Sequence, residues 1–204
     1  MVDIDSGEPR RIYDRVARVY DLYSAPMEWM GGRRRRQRLF SEARGAVLEV
    51  GVGTGQNLAY YPEGVQLIGI DISPGMLARA QRRAVASPAD VTLLTADVEQ
   101  LPFEDDRFDM ASATCVFCSV ADPVRGLREL RRVVAPEGRV LLLEHVRPRT
   151  AVLGLLADLV SPLTRRLFGP DINRRTEGHV KAAGLEFVSV RREGIWREIQ
   201  ARPD

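Results

Sequence analysis

The sequence predicts an α/β fold in which helices cover both faces of a mostly parallel sheet of seven strands. From Ala46 onward, short apolar runs alternate with stretches of helical periodicity, which is the pattern of consecutive βαβ units. The first apolar run ends in Gly51-Val52-Gly53-Thr54-Gly55, and such a turn lets a buried strand reverse sharply beside a ligand. At 204 residues the chain is expected to form one Rossmann-like domain, 1–204, with added helices.

The front segment, residues 1–44, is predicted to form a helical lid in front of the sheet. Its apolar residues recur at three- and four-residue steps, which places them on one face of a helix: Ile12, Val16, Val19, Tyr20, Tyr23 and Met27. It ends in Gly31-Gly32 and the basic run Arg33 to Arg36.

The central segment, residues 45–144, holds five predicted strands and is expected to bind the cofactor. The strands are Val47 to Val50, Gln66 to Ile70, Val91 to Leu94, Phe108 to Ala113 and Val140 to Leu143. The glycine turn is expected to lead directly into a helix. Asp122 followed by Pro123 predicts the start of a further helix, and Gly138 is expected to end that segment.

The back segment, residues 145–204, is predicted to supply substrate-side helices and to close the sheet. An amphipathic helix over Val152 to Leu167, bent near Pro162, is followed by a second helix over about 173–183 that Gly184 ends. Two alternating runs, Leu185 to Val190 and Ile195 to Ala201, predict an antiparallel pair of closing strands.

Composition sets outer limits on function. A formal net charge of +2 does not indicate a polycation that binds nucleic acid in general, so we expect no nucleic-acid partner. Arginine supplies nearly all the positive charge, since Lys181 is the only lysine. Two cysteines, no secretory signal and no apolar run of membrane length predict a cytoplasmic protein, with peripheral contact to a membrane left open.

The glycine turn has a spacing that discriminates between nucleotide cofactors. Its pattern is Gly-x-Gly-x-Gly, whereas dinucleotide-binding enzymes carry Gly-x-Gly-x-x-Gly, in which the helix start receives a pyrophosphate. Two acidic residues follow at the ends of the next predicted strands. Asp71 stands where a carboxylate can accept hydrogen bonds from both ribose hydroxyls, and Asp97 where an acceptor can meet an adenine amino group.

From about Ala46 to Glu144 these features resemble the class I S-adenosylmethionine-dependent methyltransferases. The front motifs Tyr13-Asp14-Arg15-Val16-Ala17 and Tyr20-Asp21 are similar to those of quinone and phospholipid methyltransferases. The resemblance implies S-adenosylmethionine as the cofactor and a methyl acceptor that is a small lipophilic molecule: a phospholipid amine, a quinone or a thiol. It also implies the residues that surround the cofactor: Tyr20 or Tyr23 over its methionine end, Glu49, Gly51, Val52, Gly53, Gly55, Asp71, Ile72, Met76, Asp97, Val98 and Thr114.

The acceptor is expected beyond the ends of the fourth and fifth strands, where ligands of such sheets bind. His145 follows Glu144 there and is a candidate general base or anion ligand, although a histidine satisfied by a backbone partner fits equally well. Cys118 is a candidate for substrate contact. Cys115 and Cys118 have Cys-x-x-Cys spacing, but no second ligand pair accompanies them, so we expect buried thiols and no metal. A looser similarity to thiol and phospholipid methyltransferases adds Asn173 and Arg174.

Three other functions remain open on the sequence alone. The first is a nicotinamide oxidoreductase, which the glycine spacing disfavours. A binding module that has kept the cofactor site without catalysis is the second. The third is an RNA methyltransferase, which only the arginine content supports. Basic residues beside apolar segments, at Arg33 to Arg36 and Arg165-Arg166, favour an anionic membrane surface as a further partner.

Overall fold

The computed structural model describes residues 7–145 and 176–204. The helices are α1 (Gly7–Val16), α2 (Tyr20–Met27), α3 (Arg33–Phe40), α4 (Pro74–Val85), α5 (Pro123–Val133) and α6 (Thr176–Ala182). The strands are β1 (Ala46–Val50), β2 (Gln66–Asp71), β3 (Asp90–Thr95), β4 (Phe108–Thr114), β5 (Val134–His145), β6 (Leu185–Glu193) and β7 (Trp196–Pro203).

The strands form one seven-stranded sheet in the order β3-β2-β1-β4-β5-β7-β6. All neighbouring strands from β3 to β5 pair in parallel, whereas β7 pairs antiparallel with both β5 and β6. This arrangement confirms the predicted α/β fold with its closing antiparallel pair. The order of the strands reverses between β1 and β4, and open sheets of this kind bind ligands at that crevice.

The sheet carries an apolar core on each of its two faces. Successive residues of a strand point to opposite faces, and Val47 and Leu48 of β1 accordingly belong to different core clusters. One cluster includes Leu127 and Leu130 of α5, and the other includes Phe40 of α3. Because both faces are covered, the central strands are nearly continuous apolar runs.

The front segment departs from the predicted single helix. Two helices, α1 and α2, are separated by a turn at residues 17–19, and a π-helical turn, Glu28–Gly32, joins α2 to α3. Gly31 adopts a φ of 100° inside that turn, which a residue with a side chain rarely adopts. The periodicity of the apolar residues, from Ile12 to Met27, continues across the first break and ends before the second, so it gave no sign of the first.

Two further expectations about helix bounds were wrong. The glycine turn leads into a three-residue 3₁₀ helix, Leu58–Tyr60, and not into an α-helix. Helix α5 ends at Val133, and Gly138 lies inside β5, where a Cβ would stand 2.7 Å from the carbonyl oxygen of Asp109. Close approach of the neighbouring strand therefore explains this glycine better than a helix end does.

The predicted helix over Val152 to Leu167 and the motif that contains Asn173 and Arg174 lie outside the described residues. In residues 7–145 and 176–204, no helix combines the length and the apolar character that crossing a bilayer requires.

Helix α5 begins as predicted, and its start provides a test of local stability. The Asp122 carboxylate accepts hydrogen bonds from the backbone N–H groups of Val124, at 3.1 Å, and Arg125, at 3.0 Å. Asp122→Ala should lower the free energy of unfolding by about 1 kcal/mol, because both N–H groups lose their partner. Asp122→Ser retains an acceptor and should lose less. Equal denaturant midpoints for wild type and Asp122→Ala would contradict this role of the cap.

Candidate active site

A cleft opens at the carboxyl ends of the central strands, beside the reversal of strand order. We call it the central cleft. Its described lining comes from the glycine turn, from the ends of β2, β3 and β4 with the segments that follow them, and from α1, α2 and α4. The residues are Tyr13, Tyr20, Gly51, Gly53, Ile70, Asp71, Ile72, Met76, Ala96, Asp97, Val98, Glu99, Thr114, Cys115, Val116, Ser119, Val120 and Ala121.

The three glycines of the turn have different steric roles, although all adopt positive φ values, of 62°, 57° and 83°. A Cβ on Gly51 would stand 2.5 Å from the Val116 side chain, and one on Gly55 would stand 3.1 Å from the Cα of Ala80. A Cβ on Gly53 would meet only the carbonyl oxygen of Gly51, at 3.9 Å. Gly53 also lines the central cleft, so its backbone is open to close approach by a ligand.

Asp71 is a buried carboxylate at the end of β2 and lines the same cleft. One of its oxygens accepts the N–H of Gly53 at 2.9 Å, and the other accepts the N–H of Ser73 at 2.9 Å. Burial raises the pKa of Asp71 to about 6, although these two N–H groups oppose the shift. Each oxygen retains acceptor capacity that a further donor in the cleft can use.

A second wall of the cleft follows β3. The carboxylate of Asp97 accepts the backbone N–H of Glu99 at 2.9 Å, and Glu99 in turn accepts the N–H of Asp122 at 2.9 Å. Ile72, Met76 and Val98 supply apolar surface to the same cleft. The combination of apolar walls with a few placed polar groups is typical of a small-molecule site.

The lid closes the front of the cleft through hydrogen bonds to three separate segments. The hydroxyls of Tyr13 and Ser119 lie 2.6 Å apart, which joins α1 to the segment after β4. The carboxylate of Asp14 accepts the Ser73 hydroxyl at 2.6 Å, at the start of α4. In α2, Asp21 accepts the Thr54 hydroxyl at 2.6 Å, so the lid also contacts the glycine turn.

Glu49 lies behind the turn and does not line the central cleft. The Asn57 amide donates to Glu49 at 2.7 Å and to the Thr114 hydroxyl at 3.0 Å, and the Arg36 guanidinium donates to the Asn57 amide oxygen at 2.5 Å. Burial raises the pKa of Glu49 to about 7. This network connects α3 of the lid to the base of the turn.

Nine of the residues predicted to surround the cofactor line the central cleft: Tyr20, Gly51, Gly53, Asp71, Ile72, Met76, Asp97, Val98 and Thr114. Three others do not. Val52 is buried in the apolar core, Gly55 packs against Ala80, and Glu49 lies in the network behind the turn. The side chain of Tyr23 lies outside the described part of the structure.

The structure describes only some of the residues that were predicted to contact the acceptor. Cys118 is buried and is not among the described lining residues, and its thiol donates to the carbonyl oxygen of Cys115 at 3.1 Å. His145 is also buried at the end of β5, in register with Trp196, and is absent from the described lining of the cleft. Since residues 146–175 lie outside the described ranges, its role as a base stays a prediction.

Several residues at the cleft were not predicted as site residues. Tyr13 and Ser119 are 106 positions apart, and only the fold brings their hydroxyls together. Cys115 adopts a φ of 53°, which is strained for a residue with a side chain and is more frequent at functional sites. Glu144 holds this bend by accepting the N–H groups of Val116, at 3.0 Å, and Phe117, at 3.1 Å.

Among the titratable groups of the cleft, Asp71 has a pKa near neutral pH, whereas two tyrosines and a cysteine are kept neutral by burial. Burial raises the pKa of Tyr13, of Tyr20 and of the Cys115 thiol well above their usual values. Across residues 7–145 and 176–204, no three His, Cys, Asp or Glu side chains group in a way that could hold a metal ion.

Comparison with known proteins assigns this architecture to a family. Residues 48–142 match the family model described as a methyltransferase domain. The chain is 34% identical over 154 residues to the demethylmenaquinone methyltransferase of Thermus thermophilus, an alignment that covers 71% of this chain and 69% of that protein. It is 32% identical to the 2-phytyl-1,4-naphtoquinone methyltransferase of Trichormus variabilis, over 79% of this chain and 77% of the relative.

Other relatives are matched over a smaller share of their length. The ubiquinone/menaquinone biosynthesis C-methyltransferase of Geobacter sulfurreducens is 32% identical over 69% of this chain, and the alignment spans 59% of that protein. Among solved structures, a SAM-dependent methyltransferase from Thermotoga maritima superposes with a TM-score of 0.73 at 21% identity, over 96% of this chain and 100% of the other. This last similarity shows the shared fold.

Three findings lead to the same assignment: the fold of the central segment, the position of the glycine turn at the reversal of strand order, and the sequence identity to known methyltransferases. The chain belongs to the class I S-adenosylmethionine-dependent methyltransferases, and S-adenosylmethionine is its cofactor.

Proposed function

We propose that this enzyme transfers a methyl group to a ring carbon of a hydroquinone that carries a lipid tail. Two observations together support the proposal. The chain has an apolar central cleft, and its relatives are named as methyltransferases of demethylmenaquinone, of ubiquinone/menaquinone biosynthesis and of 2-phytyl-1,4-naphtoquinone. Phospholipid amines and thiols, which the sequence left open, are the competing acceptors.

In this proposal Asp71 and Gly53 hold the ribose of the cofactor. The Asp71 carboxylate has acceptor capacity left after binding two N–H groups, and the Gly53 backbone faces open cleft. A Cβ at Gly53 would fill that space, so the glycine backbone leaves room for a ligand that lies against the turn. The cofactor has no pyrophosphate, which agrees with a turn that leads into a short 3₁₀ helix.

The adenine and methionine ends are assigned to opposite sides of that ribose site. Asp97 would accept from the adenine amino group, with Ile72, Met76 and Val98 as apolar walls. Tyr20 and Thr114 would flank the methionine end. Tyr20 packs against Tyr13 with ring centroids 6.3 Å apart, so the aromatic face of the lid excludes water from this side of the cleft.

When bound, the cofactor would supply an electrophilic methyl group on a sulfonium. The ring carbon would form a bond to this methyl group as the methyl–sulfur bond breaks, S-adenosylhomocysteine would leave as a neutral thioether, and the ring carbon would then lose its proton to a base. The protein must chiefly align the two reactants. Val116, Val120 and Ala121 give the acceptor side of the cleft an apolar surface, and the hydroxyls of Tyr13 and Ser119 are the nearby polar groups. This lining suits an aromatic ring better than a charged metabolite.

We place the enzyme in the cytoplasm at the surface of a membrane, since its acceptor would reside in the bilayer. The two cysteines of the chain are free thiols, which agrees with a reducing compartment. We propose no nucleic-acid partner.

The role of Gly53 has a matched control in the same chain. Gly53 and Gly64 both have positive φ, of 57° and 84°, and a Cβ would meet no side chain at either position. Gly53→Val and Gly64→Val should therefore carry similar backbone strain, but only Gly53→Val should abolish binding of S-adenosylhomocysteine in a calorimetric titration. Wild-type affinity in folded Gly53→Val would remove the close-approach argument.

Asp71 should make cofactor affinity depend on pH. Its pKa of about 6 means that it is ionised at pH 7.5 and becomes protonated as the pH falls through 6, which removes charge-assisted acceptors from the ribose site. Affinity for S-adenosylhomocysteine should fall between pH 7 and pH 5. Asp71→Asn should bind more weakly at pH 7.5 by about 1–3 kcal/mol and should lack this step. Asp90→Asn, on the exposed start of β3, serves as the control and should keep the pH dependence of the wild type. If the affinity of Asp71→Asn still fell between pH 7 and pH 5 as in the wild type, the assignment would be refuted.

The acceptor itself is tested with tritiated S-adenosylmethionine in four separate reactions, each with one candidate. The candidates are a short-chain 2-alkyl-1,4-naphthoquinone, its dithionite-reduced hydroquinone, phosphatidylethanolamine and an alkyl thiol. Label should enter the ring carbon of the reduced hydroquinone alone, because reduction makes the ring electron-rich and the oxidised ring is an electrophile. Preferential labelling of the amine or the thiol would replace the proposed acceptor.

A further inference from the structure

The outer face of the lid carries large apolar side chains that are exposed to solvent. Trp29 is 95% exposed and Leu22 is 79% exposed, and Val19 and Met30 are also largely exposed. These four residues, which we call the outer stripe, lie in the turn before α2 (Val19), in α2 (Leu22) and in the π-helical turn after it (Trp29 and Met30).

The outer stripe lies on the same helices that close the central cleft. Tyr20 of α2 lines the cleft, and Asp21 accepts the Thr54 hydroxyl from the glycine turn. The inward face of α2 is therefore already used, and the outer stripe is additional apolar surface. Adjacent exposed apolar residues of this size are typical of a surface that binds a partner.

The charges around the outer stripe are positive. Arg18 precedes it, and Arg33 and Arg34 follow it, all three exposed. The two acidic residues of this segment are already paired, because Asp21 binds Arg83 at 2.9 Å and Glu28 binds Arg36 at 2.8 Å. Among the described residues, no ion pair is seen for Arg18, Arg33 or Arg34. An apolar strip with such a basic rim is complementary to a surface that is apolar inside and anionic outside.

We propose that the outer stripe and its basic rim dock the lid onto an anionic lipid bilayer. Trp29 and Leu22 would insert at the level of the headgroups, where tryptophan is favoured, and Arg33 and Arg34 would contact anionic headgroups. The inference deepens the proposed function, since docking would bring the cleft to the membrane that holds a lipid-tailed acceptor. Contact is peripheral and weakens with salt.

The two tryptophans of the chain provide a direct readout. Trp29 is exposed, whereas Trp196 is 5% exposed in the core and reports only on folding. Vesicles of phosphatidylglycerol and phosphatidylcholine at low ionic strength should shift the fluorescence of the wild-type protein to shorter wavelength. Trp29→Phe should lose the shift but still sediment with the vesicles. Vesicles of phosphatidylcholine alone should produce little shift.

The basic rim is tested with matched double variants. Arg33→Gln with Arg34→Gln should weaken sedimentation with anionic vesicles by about 30-fold, from roughly fivefold for each arginine near the surface. Arg125→Gln with Arg128→Gln, which changes two exposed arginines of α5, should bind as the wild type does. Both pairs should retain S-adenosylhomocysteine binding.

Three outcomes would overturn the docking proposal: no fluorescence shift with anionic vesicles, equal losses in the two double variants, or a concentration-dependent dimer that Trp29→Ala abolishes. The last would assign the outer stripe to a second copy of the chain. Vesicle binding without methylation of the hydroquinone would instead refute the proposed acceptor and leave the docking surface intact, so the two failures are distinguishable.

Discussion

The Asp71 carboxylate is the constraint on which the rest of the site depends. It accepts the backbone N–H groups of Gly53 and Ser73, each at 2.9 Å, and so fixes the turn after β1 against the end of β2 and the start of α4. Burial raises its pKa to about 6, which means that the folded protein bears a desolvation cost for the ionised form at neutral pH. Hydroxyl donors from a bound ribose would offset that cost, and this links the shape of the cleft to the chemistry of its ligand.

The lid forms hydrogen bonds to the same turn and to the residues around it. Asp21 binds Thr54 within the turn, Asp14 binds Ser73 beside Asp71, and Arg36 reaches Asn57 behind it. Because these contacts occupy the inward face of the lid, its exposed tryptophan and arginines are left for a partner. One set of helices thus contacts the cleft on one side and carries, on the other, the surface that we propose to dock onto a membrane.

The sequence predicted most of the fold, and most of the residues that line the central cleft, because both depend on local patterns. The mostly apolar strands β1 and β2 were recognised from their composition, and the glycine turn and Asp71 stand at their respective ends. The break between α1 and α2 was missed because the hydrophobic periodicity passes through it. The contact between Tyr13 and Ser119 was missed because it depends on tertiary packing across 106 positions. Glu49 was assigned to the cofactor, but its side chain turns toward Asn57 behind the turn.

A crystal structure of the protein with S-adenosylhomocysteine tests the central claim most directly. We expect density for S-adenosylhomocysteine in the central cleft. Both ribose hydroxyls should lie within hydrogen-bond distance of the Asp71 carboxylate, with the adenine near Asp97 and the amino-acid end toward Tyr20. A ligand bound elsewhere, or one whose ribose makes no contact with Asp71, would contradict it.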